Sequence, residues 1–473
     1  MCNVPTINRI YLNKNLQTYF IDELHGITSG EQLYNSLHTA SPTSIRINPN
    51  KIDYGLQLPQ VLWCEQGYYL PQRPKFTLDP AFHAGAYYVQ EASSMFLEHI
   101  VKPLATRPLK VLDLCAAPGG KSTQLISLMQ RGSLLIANEV IQSRAHILSE
   151  NVIKWGKSNC VVTNNDPKDF GFLEGFFDIV VVDAPCSGEG MFRKDPQAIN
   201  EWSEAHVDLC SKRQTRILHD IWDCVAPGGT LIYSTCTYNQ KENEDVVAAF
   251  LQQTGAECAH IPLQQEWKVV EHEKNGAVCY RFFPHKTQGE GFCVSVIHKR
   301  DGKEFVPPRK TPKSVDISII EQKNRLHYSN LITDESIVYE RQKGVMWSFS
   351  KNYRKLLLDI YAHCRVVHAG IPLVETIGHK LNPLPGLAFA SSFNQTILPK
   401  YEVDLPTALR YFKKEALTLE NLPSKGWIHL TYQGISIGFV KNIGNRANNP
   451  YPAAWAIKMN LQPELMWSIV EYR

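Results

Sequence analysis

The sequence has no apolar stretch long enough to cross a bilayer. Its most apolar window, residues 125–137, is interrupted by Gln130 and Arg131, whereas a spanning helix needs about 20 apolar residues in a row. Met1-Cys2-Asn3-Val4-Pro5 opens onto no apolar run, so no secretory signal is visible and a cytoplasmic protein without membrane contact is expected. Twelve cysteines are present, but none stand in Cys-x-x-Cys spacing, which leaves a zinc ribbon and a thioredoxin-type pair unsupported. Outside a short secreted frame they read as reduced thiols, most of them small core fillers. Also missing are Gly-x-Gly-x-x-Gly and the phosphate-loop spacing Gly-x-x-x-x-Gly-Lys-Ser/Thr. Their absence argues against a dinucleotide pyrophosphate and a nucleoside triphosphate as ligands. There is no convincing internal repeat and no low-complexity tract.

What is present is a chain of 473 residues, 44% apolar and 20% charged, long enough for two to four soluble globular domains. From residue 109 onward the pattern is apolar strand, turn, helix, repeated. Strands are predicted at 111–114, 134–137, 160–163, 179–182 and 230–233, with helices at 122–130 and 143–155. Near-continuous Val/Ile/Leu strands separated by helices predict an α/β fold with a parallel sheet covered on both faces. Before it, residues 1–100 form a mixed α/β extension, with helices at 12–24 and 30–37 and an extended piece at 44–48. After the domain at 101–300, the run 299–313 carries three prolines and six basic residues and reads as an exposed linker into an intermediate region, 301–380. The final region, 381–473, is β-rich: residues 427–440 alternate apolar and polar, with Gly434 and Gly438 read as turns.

Net charge is +3, unevenly spread. Residues 299–473 hold 24 Lys+Arg against 15 Asp+Glu, and residues 1–298 hold 25 against 31. A basic C-terminal part beside an acidic remainder suggests a polyanionic partner.

The strand at 111–114 runs into Cys115-Ala116-Ala117-Pro118-Gly119-Gly120-Lys121 and then a helix. Proline and paired glycines make a tight turn, small alanines let a ligand approach the backbone, and N–H groups at the helix start attract an anion. Lys121 is expected to contribute its backbone more than its amine. Glu139, about 20 residues on at the next strand end, suits ribose hydroxyls. Asp166, after the third strand, suits an adenine amino group. A ribonucleoside bearing a carboxylate fits this set, and S-adenosyl-L-methionine is such a molecule.

Two thiols follow strand ends: Cys186 in Asp183-Ala184-Pro185-Cys186-Ser187-Gly188, and Cys236 in Ser234-Thr235-Cys236-Thr237. Two cysteines aimed at one pocket imply a covalent intermediate that is made and then broken. Taken singly, each has an ordinary explanation as a turn or core residue, and Asp183 as a strand cap. Their joint occurrence, in order on alternating strands, is what carries weight.

These three motifs together resemble the RNA 5-methylcytosine methyltransferases of the NOL1/NOP2/Sun family, over roughly residues 85–300. Gly188-Glu189-Gly190-Met191-Phe192-Arg193-Lys194 and the length of the C-terminal extension resemble one bacterial branch. The resemblance implies a Rossmann-like class I methyltransferase domain, S-adenosylmethionine as cofactor, and methylation of a decoding-region cytosine of 16S rRNA, cytosine 1407. The substrate would be the assembled small ribosomal subunit and the enzyme a monomer, with no metal. It also implies Cys236 as the attacking nucleophile and Cys186 as the thiol that assists release. Related DNA enzymes attack with the Pro-Cys cysteine, which would make Cys186 the nucleophile.

The chemistry suits the residues. Cytosine C5 is a poor nucleophile until a thiolate adds to C6. Addition needs charge neutralised at N3, for which Asp183 is well placed by sequence. The base must leave its stack to reach such a pocket. Arg193 and Lys194 are expected to hold flanking phosphates, and Tyr87 and Tyr88 either line the site or pack in the core. The last region, with Lys441, Arg446 and Asn448-Asn449-Pro450-Tyr451-Pro452, resembles a PUA-type RNA-binding domain. Alternatives are a tRNA cytosine-5 methyltransferase, a non-catalytic ribosome-assembly factor that binds RNA, and a cysteine hydrolase.

Overall fold

The computed structural model describes residues 14–308, 315–320, 328, 330–342, 344–378, 380–420, 422, 425–444 and 446–473. Residues 1–5 and the 309–313 portion of the basic, proline-rich run lie outside the described residues.

The N-terminal part begins with α1 (Lys14–Glu23) and α2 (Gly30–Ser36). A small antiparallel sheet follows, of β1 (Thr43–Ile47), β2 (Gly67–Leu70) and β3 (Tyr87–Val89), in the order β2-β1-β3. Short helices α3 (Pro80–His83) and α4 (Leu97–Val101) flank it.

The central domain alternates β4 (Lys110–Asp113), α5 (Gly120–Leu128), β5 (Leu134–Asn138), α6 (Gln142–Trp155), β6 (Cys160–Thr163) and β7 (Phe177–Asp183). It continues with α7 (Pro196–Glu201), α8 (Glu204–Trp222), β8 (Val225–Thr235), α9 (Glu244–Thr254), β9 (Glu257–Cys258), β10 (Val270–Lys274), β11 (Ala277–Phe282) and β12 (Phe292–His298). Strands β4 to β8 pair in parallel in the order β6-β5-β4-β7-β8. Their side chains, such as Val111, Leu135, Val161, Val180 and Leu231, are fully buried, as expected where helices cover both faces. The chain leaves β4 toward β5 on one side and returns through β7 on the other. That reversal opens a crevice over the strands' C-terminal ends, where doubly wound sheets bind ligands.

Both sheet edges are closed by antiparallel strands. On one side β12, β11 and β10 add in turn to β8. On the other, a strand from beyond the proline-rich run pairs with β6, covering an edge that would otherwise expose unpaired N–H and C=O groups. That strand is the fourth of the next region: β13 (Ser318–Ile319), β14 (Ser336–Gln342), β15 (Val345–Ser350), α10 (Arg354–His363), β16 (Val366–Ala369), β17 (Ile371–Ile377), β18 (Lys380–Pro383) and α11 (Pro385–Phe389).

The C-terminal module comprises β19 (Lys400–Glu402), α12 (Leu405–Phe412), β20 (Gly426–Tyr432), β21 (Ile435–Asn442) and β22 (Ala447–Asn448), with sheet order β19-β20-β21-β22. Gln433 and Gly434, both at positive φ, make the turn between β20 and β21. Gly438 is not a turn, contrary to expectation. It lies within β21 at φ +149, and a Cβ there would stand 2.0 Å from the Tyr411 hydroxyl, so its missing side chain admits α12. The N- and C-terminal modules share one apolar core, in which Ile45 and Tyr87 are clustered with Leu409, Phe412 and Ile428, and His83 stacks on Phe412 at 4.9 Å.

Candidate active site

Between β4 and α5 the chain turns through Cys115 to Gly120. Gly119 caps α5 at φ +116, a left-handed geometry that a residue with a Cβ adopts only under strain. The loop is held from α6: Arg144 donates to the Ala117 carbonyl and Asn151 to the Pro118 carbonyl, each at 2.8 Å. On its other flank, buried Arg46 of β1 donates to the Gly120 carbonyl at 3.2 Å and to Thr123 Oγ1 at 2.6 Å. Small Ala116 and Ala117 leave the backbone open to close approach, and the first-turn N–H groups of α5 have no acceptor within the helix. An anionic group suits that end.

Acids gather at the neighbouring strand ends. Glu139, directly after β5, is buried; Oε1 accepts from the Ile141 N–H at 2.9 Å and Oε2 pairs with Arg144 at 3.4 Å. Asp183 ends β7 beside Ser234, its partner in the parallel register with β8. Its Oδ1 accepts from Ser234 Oγ at 2.8 Å, and its Oδ2 pairs with Lys121 Nζ at 2.8 Å. The Lys121 ammonium also stands 5.1 Å from the Phe292 ring centroid. Its amine therefore has a defined position, more than the sequence reading assigned to it.

Asp166 is placed differently. It caps the 3-10 turn Pro167–Leu173, accepting from the Lys168 N–H at 3.3 Å, and pairs with Arg216 of α8 at 3.3 Å. Its carboxylate therefore pairs with a different cation from the Lys121 that holds Asp183.

Asp113, at the end of β4, was not singled out from sequence, although an acid closing an apolar strand is a legible signal. Its Oδ2 accepts from Ser122 Oγ at 2.6 Å, whereas Oδ1 is buried with no hydrogen-bond partner among the described residues. Burial pushes its carboxyl up to about 7, against the lowering effects of Ser122 and Lys121. A buried acceptor left over calls for a donor. The amino group of S-adenosylmethionine is such a donor, its carboxylate suits the start of α5, and its ribose suits Glu139. The residues fit that cofactor.

The two thiols meet beyond β7 and β8. Asp183 and Ser234 are register partners, so the segments continuing from the two strands emerge side by side. Cys186 Sγ and Cys236 Sγ stand 3.2 Å apart, and the Cys236 N–H points at Cys186 Sγ at 3.4 Å. Gly190 brings the loops into contact: its N–H donates to the Cys236 carbonyl at 2.8 Å, and a Cβ there would sit 2.7 Å from that oxygen.

Two buried carboxylates, Glu189 of the Gly188–Lys194 motif and Glu242, neither given a role from sequence, lock the loops reciprocally. Glu242, from the Cys236 side, accepts from the Ser187 N–H at 2.9 Å, from the Ser187 hydroxyl, and from Gln214 and Asn239 at 2.8 Å. Glu189, from the Cys186 side, accepts from the N–H groups of Tyr238 (2.8 Å) and Asn239 (3.0 Å), and from Trp202 Nε1 at 3.1 Å. The Cys186 thiol is pushed well above its usual value by its hydrogen bond to Cys236, by burial, and by the nearby charge of Glu242. Cys115 lies in the cofactor loop, yet burial likewise raises its thiol, so it is not set up as a nucleophile.

Arg193 is not free for RNA phosphates, contrary to expectation. Its guanidinium is buried, donating to Glu290 Oε2 at 2.8 Å, the Gly289 carbonyl at 2.6 Å and Thr39 Oγ1 at 3.1 Å. Lys194 is partly exposed and lies 4.0 Å from Glu290. Tyr87 is buried in the core shared with the C-terminal module. Among the described residues no group of His, Cys, Asp and Glu could hold a metal ion, and no helix is long and apolar enough to cross a membrane.

A parallel sheet with this switch point, an acid at successive strand ends and a Gly-rich helix start define a Rossmann-like, S-adenosylmethionine-dependent methyltransferase. Residues 103–298 match the model of the 16S rRNA methyltransferase RsmB/F family. Residues 16–92 match the N-terminal domain of 16S rRNA methyltransferase RsmF, and residues 398–457 the RsmF PUA domain. The chain is 30% identical over 436 residues to the ribosomal RNA small subunit methyltransferase F of Salmonella heidelberg, covering 86% of this chain and 89% of that one. The Salmonella newport protein of the same name matches with the same identity and coverage. Among solved structures, a methyltransferase homolog protein from Pyrococcus horikoshii aligns at TM-score 0.51 and 26% identity, over 63% of this chain and 99% of that one. The chain belongs to the RsmB/F family of 16S rRNA cytosine-C5 methyltransferases.

Proposed function

We infer that this enzyme methylates C5 of one decoding-region cytosine of 16S rRNA, cytosine 1407, within the assembled small subunit, acting as a monomer through a covalent cysteine adduct. The observation that carries the adduct chemistry is the 3.2 Å approach of Cys186 Sγ and Cys236 Sγ at the mouth of the cofactor crevice.

When bound, S-adenosylmethionine supplies an electrophilic methyl group on a sulfonium centre. The chain's own residues do the rest. Cys236 Sγ adds to C6 of the extruded base, forming a C–S bond and turning C5 into an enamine-like carbon. Asp183, held by the Lys121 ammonium and Ser234, relays to N3, where charge builds during addition, a proton drawn from that ammonium, and returns it when the adduct breaks. After methyl transfer the C5 proton passes to water, the C5–H electron pair re-forms the C5–C6 double bond, and the C6–S bond breaks, returning its electron pair to Cys236. Cys186, 3.2 Å from Cys236 Sγ, is within reach to donate its S–H to that sulfur as it departs.

The test is methyl transfer to a small-subunit RNA substrate by Cys236→Ala and Cys186→Ala. Cys236→Ala should lose methyl transfer and form no adduct, whereas Cys186→Ala should accumulate a denaturant-stable protein–RNA adduct. Full activity in Cys236→Ala would overturn the assignment. Bisulfite sequencing of rRNA and tRNA from a deletion strain separates the 16S target from a tRNA one.

A further inference from the structure

A further cavity lies between β3 of the N-terminal sheet and α6. It encloses about 260 Å³ and is lined by Arg73, Phe76, Phe82, Tyr87, Tyr88 and Trp155, among others. The rings do not stack on one another face to face: Phe76 lies 6.2 Å from Phe82 and 6.3 Å from Tyr87, tilted by 40° and 54°. Arg73, on the exposed rim, holds its guanidinium 5.4 Å from the Phe76 ring centroid. It has no carboxylate partner among the described residues.

Two further facts connect this cavity to the central domain. Arg73 also lines a cleft of about 810 Å³ between the N-terminal sheet and the central domain, whose walls include Lys194. In addition, Asn151 lines the aromatic cavity while its side chain donates to the Pro118 carbonyl of the cofactor loop at 2.8 Å. Arg73 is thus shared by the cleft and the aromatic cavity, with Lys194 as a second cation along the cleft.

An aromatic-lined cavity with a guanidinium at the rim suits an unstacked nucleobase whose phosphate stays outside. The volume exceeds that of a single base and falls below the roughly 300–1,000 Å³ of drug-sized ligand pockets. We propose that the Phe76–Phe82–Tyr88 cavity seats a second extruded base of the RNA substrate, while Arg73 holds its phosphate. This rests on the RNA methyltransferase reading above. Seating that base reports correct substrate engagement to the cofactor loop through Asn151.

The experiment scans abasic nucleotides along a decoding-region hairpin RNA, measuring binding and methyl transfer by the wild type, Phe82→Leu and Arg73→Gln. One position other than the target should weaken wild-type binding about tenfold when abasic, and Phe82→Leu should show no further loss there. Arg73→Gln should weaken binding of intact and abasic RNA alike, with a shallower salt dependence. S-adenosylmethionine affinity and thermal midpoint serve as folding controls, and a variant that fails them is replaced by Phe82→Met. The proposal is overturned if wild type methylates the RNA but no non-target position is sensitive, or if Phe82→Leu and the abasic losses simply add. No methylation of any RNA by the wild type would instead overturn the underlying reading.

Discussion

The Glu242 carboxylate accepts the Ser187 N–H at 2.9 Å, so a residue six positions after Cys236 fixes the residue that follows Cys186. The contact is fully buried and crosses from one thiol loop to the other. It explains how two sulfurs fifty residues apart hold a 3.2 Å approach without a bond between them.

Replacing Glu242 with Gln keeps the shape but sets an amide N–H₂ against the donors Gln214, Asn239 and Ser187. Leaving buried donors unpaired costs about 1–3 kcal/mol. Single-turnover methylation should fall about ten- to a hundredfold, on the scale of that energy, while cofactor affinity is retained. Unchanged turnover would show that the two loops hold their geometry without this carboxylate.

The Cys186 thiol should respond to its neighbour. Its hydrogen bond to Cys236 is the largest cause of its raised value. Cys236→Ala should therefore bring Cys186 down toward the ordinary thiol range and speed its alkylation at pH 8. The pH dependence of iodoacetamide labelling, read by peptide mass analysis, checks this; an unshifted profile would point to burial alone.

Gly190→Ala tests the close approach of the loops. An added Cβ would stand 2.7 Å from the Cys236 carbonyl and 2.8 Å from that of Gly291, both backbone atoms. Backbone has to move, so activity should drop at least tenfold, with a loss of about 1–3 kcal/mol in denaturant stability. Wild-type activity in this variant would mean that the loops shift at no cost.

Asp113 predicts a pH dependence. Burial raises its carboxyl in the folded protein to about 7, above the roughly 3.9 of an unfolded chain. Between those values the folded state holds a proton that the unfolded state has released. Its contribution to stability is therefore complete below about pH 4 and is lost as pH rises through 7. Without cofactor, the thermal midpoint of wild type should fall relative to Asp113→Asn between pH 5 and pH 8; parallel curves would refute the shift.

Much of the central domain was legible because its signals are local. The strands ending at Asp113, Asn138, Thr163 and Asp183 are short runs of buried apolar residues, and Gly119 marks a turn that few other residues tolerate. Gly438 misled for the same reason: glycine in a sequence signals a turn, whereas here it makes room for the Tyr411 hydroxyl. Arg193 misled because a basic residue beside an active-site loop looks the same whether its partner is a phosphate or Glu290, ninety-seven residues away.

By itself the sequence determined the parallel sheet, the cofactor loop, the strand-end acids and the two motif cysteines, all encoded within a few residues of one another. Only the tertiary structure decided that Asp183 and Ser234 are register partners, which brings the two thiols together. It alone showed that Lys121 is tied to Asp183, that Glu242 and Glu189 brace the loops crosswise, and that the N- and C-terminal modules share a core. Those relationships depend on strand order and long-range packing, and hydrophobic periodicity carries no record of which distant segment a side chain will meet.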